Sequence, residues 1–341
     1  MRASNKNLPT PPQKVLILHA GGIGDLLLAL PALRIFRRSF PRSPLGLMGR
    51  PERLSLIAFD LQADSIHSID QAGMAYFYVE GETLPPRLSA FFSSFSTVLI
   101  LGKINESILA RNLSRTGVDS VIPIPSFPPE ALGIHVSEYL VESLKASGIE
   151  GQSLFSPLGL PEDALSFAKH FWAKFGLKEE ERVLAMHPGS GSPAKNWDAK
   201  KFARVADWAS ERCKVLLISG PAQDGVEEVR RTMKKANPLV ADNLPLLHLA
   251  AVLKASRAYL GNDSGITHLA ASLGLPTVAL FGPTNPAIWG PRGPGVQIVY
   301  GKNLWFPSSP AGRSESSRQC LESIQPDSVI DVLSPLFKES V

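Results

Sequence analysis

Cysteine is almost absent: the 341 residues carry two, Cys213 and Cys320. A disulfide-stapled scaffold is therefore excluded, and no His, Cys or carboxylate group shows metal-ligand spacing. Long apolar runs are missing as well. The longest, 15–18 and 98–101, are strand-sized and far from the ~18 residues of a membrane span. Charge of one sign is scarce: 35 Lys and Arg against 31 Asp and Glu leave a net +4, with no long basic run, so nucleic acid is set aside as a partner. That mild excess suits phosphorylated or anionic-membrane partners and an ordinary surface equally. Residues 1–13 are polar, contain proline and lack an apolar h-region. They read as a frayed leader, not a secretory signal, and cytoplasmic placement is the expectation.

What is present is an apolar, sparsely charged chain long enough for two domains. Strand-like and helix-like runs alternate throughout, which predicts α/β architecture with parallel sheets. The first half predicts strands at 15–19, 45–48, 97–101 and 120–124, with helices at 26–38, 106–114 and 135–147. A Pro/Gly-bearing stretch at 155–161 reads as a linker. A second series follows, with strands at 183–187, 214–219, 258–261, 277–281 and 296–299. Its helices fall at 162–175, 199–211, 225–236, 245–253, 266–273 and 326–337. Two halves of similar length predict two doubly wound domains. Ligands of such sheets bind beyond the strands' carboxyl ends, so strand-to-helix loops are where function is sought.

Four such loops carry suitable residues. The first, His19-Ala20-Gly21-Gly22-Ile23-Gly24-Asp25, is neither a Walker A nor a dinucleotide fingerprint. Strand two ends without the acidic residue that a dinucleotide ribose needs, which argues against a nicotinamide enzyme. Asp25 reads either as an N-cap or as a carboxylate able to take a proton from a hydroxyl. The second loop, 187–197, offers Ser190, Ser192 and the compact charge of Lys195 to a phosphate, or is a polar connector. The third places Gln223 and Asp224 near a ribose, or is a turn with a helix cap. The fourth, Asn262-Asp263-Ser264-Gly265-Ile266-Thr267-His268, joins a strand to a helix whose first N–H groups and dipole suit an anion. There Asp263 reads alternatively as an N-cap and His268 as a packed core residue. Beyond it, Thr284 offers a hydroxyl after the next strand. The basic end of the first long helix, Arg34-Ile35-Phe36-Arg37-Arg38, complements the helix dipole or touches anionic lipid.

Together these loops resemble glycosyltransferase family 9, the lipopolysaccharide heptosyltransferases. The matching stretches are K-V-L-I-L-H-A-G-G-I-G-D-L-L-L-A-L-P-A-L at 14–33, H-P-G-S-G-S-P-A-K-N-W at 187–197 and Y-L-G-N-D-S-G-I-T-H-L-A-A-S-L-G-L-P-T-V-A-L-F-G-P-T at 259–284. The resemblance implies a GT-B fold, two Rossmann-like domains facing a central cleft. An acceptor domain at 1–158, a nucleotide-sugar domain at 159–325 and a C-terminal helix at 326–341 packing back on the first domain are expected. It also implies metal-independent, inverting transfer of a heptose from ADP-heptose to a lipid-linked core sugar, without a cofactor.

In that scheme Asp25 is the general base and Lys195 supports the leaving diphosphate. Ser190, Ser192, Ser264, Gly265, Ile266 and Thr284 surround the donor, with Asp263 near the sugar and His268 near the phosphates. Leu244 would touch the adenine and Asp224 the ribose; Gly22 and Gly24 form the acceptor-side loop. A monomer in peripheral contact with the inner membrane is expected. Residues 74–86 align with nothing in the family, and Arg50, Arg53 and Lys103 are candidates for acidic acceptor groups. A GT-B epimerase or hydrolase, and a non-catalytic nucleotide-sugar-binding module, are the alternative functions.

Overall fold

The computed structural model describes residues 13–102, 107–129, 132–177, 181–220, 225–235, 237–301 and 320–338. The first half runs β1 (Val15–His19), α1 (Ile23–Ser39), β2 (Leu45–Gly49), α2 (Pro51–Ala58), β3 (Ser65–Ser68), a 3₁₀ turn (Met74–Tyr78), α3 (Pro86–Ser93), β4 (Thr97–Gly102), α4 (Ser107–Ser114), β5 (Ser120–Pro125) and α5 (Val136–Ala146). The second half begins with α6 (Glu162–Lys174), β6 (Val183–His187), a 3₁₀ turn (Pro193–Lys195), α7 (Ala199–Ser210), β7 (Lys214–Ser219), α8 (Val226–Thr232) and β8 (Leu239–Asp242). It continues with α9 (Leu246–Lys254), β9 (Ala258–Asn262), α10 (Gly265–Ser272), β10 (Thr277–Phe281), α11 (Pro286–Trp289), β11 (Val296–Tyr300) and α12 (Pro326–Phe337).

Each half is built on one wholly parallel sheet, ordered β3-β2-β1-β4-β5 and β11-β10-β9-β6-β7-β8. Central strands covered on both faces must be apolar throughout; β1, β2, β4, β9 and β10 are buried at every position. Strand order reverses between β1 and β4 in the first sheet and between β6 and β9 in the second. Crevices open beyond the carboxyl ends of strands at such switch points, and the loops after β1, β6 and β9 stand there.

The halves meet through helices. α1 packs on α10 and α2 on α9, so one apolar core continues from the first sheet into the second. At the α1–α10 contact the chains approach so closely that a Cβ on Gly265 would lie 2.8 Å from Ile23 Cβ, and one on Gly24 3.1 Å from the His268 ring. The crossing chain is pinned where it passes α1. Arg34 binds both Asp60 oxygens at 2.7 and 2.8 Å and the Ser156 carbonyl at 2.7 Å, and Gly159 N–H donates to Asp60. Arg37 and Arg38 likewise donate to backbone carbonyls of Phe40, Ser43 and Gln152, so the basic end of α1 secures loops around it.

The expectation for the C-terminal helix is corrected. α12 packs on α7, β10 and β11 of its own domain. Its buried face, Val329, Leu333 and Phe337, belongs to the core on that side of the second sheet, and Phe337 meets the Trp208 ring edge-on. Among the described residues the apolar stripe of this helix is satisfied within its own domain. Elements absent from the sequence reading are α2, α3, α11, the 3₁₀ turns at Met74–Tyr78 and Pro193–Lys195, and β3 and β8, which are four-residue edge strands of mixed polarity. No described helix is long and apolar enough to cross a membrane.

Candidate active site

A cleft of about 700 Å³ opens where the two switch points face each other. Gly22, Ile23, Gly24, Asp25, Leu28 and Arg53 line it from the first domain. His187, Ser190, Gly191, Ser192, Lys195, Asp263, Ser264, Gly265, Ile266, His268, Thr284 and Trp289 line it from the second. Loops from opposite halves of the sequence, from Gly22 to Trp289, thus form one site. Leu244 stands apart, half-buried against the core and not lining the cleft. Asp224, Gln223 and Lys103 lie outside the described residues.

Asp25 is not the N-cap. Gly22 holds that position, and Asp25 sits at N3 with one carboxylate oxygen accepting from Gly22 N–H at 2.8 Å. This is the returning half of a capping box. It leaves the other oxygen without a partner among the described residues, and the N-terminus of α1 favours its negative charge. Arg53 steadies the same loop by donating to the Gly21 carbonyl at 2.7 Å. Beneath it lies His19, 3% exposed; burial drives its pKa down to about 4, although Asp25 pulls upward.

Across the gap, Lys195 Nζ donates to Asp263 at 2.7 Å, the Asp263 side chain being 7% exposed and Lys195 33%. Asp263 precedes the true N-cap of α10, Ser264, whose hydroxyl accepts from Thr267 N–H. The loop carrying Lys195 is clamped at both ends by buried Asn262. Its side chain accepts from Trp197 N–H at 3.0 Å and donates to the Pro188 carbonyl at 2.7 Å. The Ser190 hydroxyl works inside that loop, donating to the Ser192 carbonyl at 2.7 Å, so its proton is engaged. Gly265 serves the contact between domains at least as much as access for an anion, since Ile23 fills the space beside it.

His268 is buried at the seam between domains and its pKa is held down to about 4 by burial, against the upward pull of Asp263 and Asp25. His187 is held down to about 4 by the same cause. Both imidazoles are neutral at pH 7. The positive charge facing the cleft therefore comes from Lys195, Arg53 and the free N–H groups of α10. Among the described residues no group of three His, Cys, Asp or Glu side chains is placed to hold a metal ion.

Arg53, a candidate for acidic acceptor groups, lines the cleft, and Arg50 is not among its lining residues; His187 and Trp289 were not expected with roles here. Arg53 comes from a helix the sequence reading did not assign. His187 gains its context only from Ser264, 77 residues away. Trp289 enters through α11, a single turn introduced by Pro286 and capped by the Asn285 side chain. The carboxylate-against-cation arrangement, with a helix N-terminus beside it, suits transfer from a donor whose leaving group is an anion.

Comparison with known proteins bears on the family and the fold. The family described as glycosyltransferase family 9 (heptosyltransferase) matches residues 130–318. Lipopolysaccharide heptosyltransferase 3 of Escherichia coli K12 is 23% identical over 292 residues, covering 79% of this chain and 82% of that protein. Among solved structures, the glycosyltransferase family 9 protein of Veillonella parvula superposes with a TM-score of 0.78 at 21% identity, covering 98% of this chain and 99% of the other. The ADP-heptose lipopolysaccharide heptosyltransferase II of E. coli superposes with a TM-score of 0.72 at 17% identity, covering 95% and 98%. The fold is thereby GT-B, two Rossmann-like domains about a cleft.

Proposed function

The chain belongs to glycosyltransferase family 9, and we propose that it transfers a heptose from ADP-heptose to a sugar of the lipopolysaccharide core, with inversion and without a metal. The observation that carries this reading is the convergence in one cleft of Asp25 from the first domain with Lys195, Asp263 and the α10 N-terminus from the second. In the proposed step, Asp25 accepts the proton of the acceptor hydroxyl as that oxygen attacks the anomeric carbon. The bond from that carbon to the diphosphate oxygen breaks as the new glycosidic bond forms, and ADP departs with the electron pair. A single displacement inverts the anomeric centre. Lys195, Ser192 and the N–H groups around Ser264–Ile266 take up the charge on the leaving group, the task a metal would otherwise perform. Asp263 orients Lys195 and lies within reach of the sugar. The names of the relatives support the donor and the acceptor class. The chain acts as a monomer in the cytoplasm, meeting its lipid-linked acceptor at the inner face of the membrane.

The test is transfer itself. Purified protein, ADP-heptose and a core-truncated lipopolysaccharide are expected to give ADP and an acceptor heavier by one heptosyl group, with β-to-α or α-to-β inversion seen by NMR. Chelator should leave the rate unaltered, and ADP should raise Tm more than UDP or GDP. Free or epimerised sugar with no change in the acceptor would show a hydrolase or epimerase instead. Loss of activity on chelation, restored by Mg²⁺, would remove the metal-free step.

A further inference from the structure

Behind the α10 N-terminus lies a buried cluster of hydroxyls that the transfer step does not use. The Tyr259 hydroxyl is 3.1 Å from Thr267 Oγ1, Thr267 Oγ1 is 3.2 Å from Ser264 Oγ, and Ser264 Oγ is 3.4 Å from His187 Nδ1. Tyr259 and Thr267 are wholly buried, Ser264 nearly so. The cluster depends on Gly261, because a Cβ there would overlap the Tyr259 hydroxyl.

Proton counting narrows the directions open to this chain. A threonine hydroxyl has one proton, and that of Thr267 goes to the Asn262 carbonyl in a short bond. Thr267 Oγ1 is then an acceptor towards its other neighbours, and Tyr259 donates to it. Ser264 Oγ already accepts from Thr267 N–H. The Ser264 proton then has two acceptors within reach, Thr267 Oγ1 at 3.2 Å, already served by Tyr259, and His187 Nδ1 at 3.4 Å. When that proton goes to His187, Nδ1 is the acceptor nitrogen of a neutral imidazole, and the ring proton sits on Nε2. No group among the described residues partners Nε2, and His187 lines the cleft.

We infer that Tyr259, Thr267 and Ser264 are positioning residues that set the tautomer of His187, so that its Nε2–H is presented to the cleft as a neutral hydrogen-bond donor for an oxygen of the nucleotide sugar. The identity of that ligand rests on the donor reading above; the tautomer does not. A neutral donor holds an oxyanion without adding charge that must be desolvated, and it leaves ADP free to dissociate after transfer.

The test is ¹⁵N NMR of the histidine side chains in the full-length protein without ligand, His187 being assigned by the signal lost in His187→Gln. Nδ1 is expected to be unprotonated and Nε2 protonated. In Tyr259→Phe, Thr267 loses its donor, Ser264 turns its proton to Thr267, and His187 is expected to move towards the Nδ1–H form. ADP Kd should then rise about tenfold, as for the loss of one hydrogen bond to a charged group. In the parent protein, ADP should shift the Nε2 resonance. An Nδ1–H tautomer in the parent protein overturns the inference, as does a tautomer unaltered in Tyr259→Phe or an Nε2 resonance blind to bound ADP. A protein that binds no ADP removes the donor reading, while an Nε2–H tautomer lost in Tyr259→Phe would still establish the relay.

Discussion

Lys195 and Asp263 decide how the donor half behaves before a ligand arrives. Their ion pair holds the lysine at the cleft, and Asp263 is nearly buried. Lys195→Ala leaves a buried carboxylate unpaired where an anion must bind. ADP Kd is expected to rise about 10- to 100-fold by titration calorimetry. Lys195→Arg is not expected to restore it, since the planar guanidinium differs from a compact ammonium; an unchanged Kd in Lys195→Ala would take the lysine out of donor binding. At this scale the sequence was informative where chemistry is local: small and polar residues at strand ends marked three of the loops that line the cleft. It was silent on the partners. Nothing near His187 announces Ser264, and nothing near Asn262 announces that it bonds both ends of the Lys195 loop, because these contacts exist only once β6 and β9 lie side by side.

At the scale of elements, the cleft is set by two helices whose first turns cross. α1 and α10 approach without a side chain at Gly265 and with His268 resting on Gly24. Gly265→Ala places a methyl group against Ile23 Cβ and the Gly24 backbone. Overpacking of this kind costs about 1–3 kcal/mol, and here its relief separates the domains. A lower Tm together with a lower kcat/KM is expected from denaturation and transfer assays; wild-type values for both would show that the contact is looser than described. The strands at the centre of each sheet were legible because burial on both faces demands unbroken apolar runs. β3 and β8 were not, being short, mixed in polarity and at the edge. α12 shows the other limit. Its periodicity revealed a helix with an apolar stripe, but a stripe does not name the surface it covers. α7, with the Trp208 ring edge-on to Phe337, and strands β10 and β11 cover it within its own domain.

For the molecule as a whole, the seam between domains is also where ionisation and folding are linked. His19, His187 and His268 all have pKa values lowered from 6.5 to about 4, chiefly by burial. The unfolded chain takes up protons at these sites as pH falls through 6.5, and the folded chain resists until about pH 4. Between those values the unfolded state binds more protons, so stability rises with pH. Urea unfolding is expected to show stability level above about pH 7 and falling from pH 6.5 towards pH 4, with a shallower fall in His187→Gln; a flat profile across that window would mean these imidazoles are hydrated. The central claim, though, concerns Asp25, the carboxylate with which the first domain lines the cleft. Asp25→Asn keeps an oxygen able to accept from Gly22 N–H, so the loop and the fold should persist while the base is lost. Parallel measurement of kcat and ADP affinity in Asp25→Asn tests this most directly. The account predicts kcat lower by about 10²- to 10⁴-fold with ADP Kd unchanged; a kcat within a few-fold of the parent protein would contradict it.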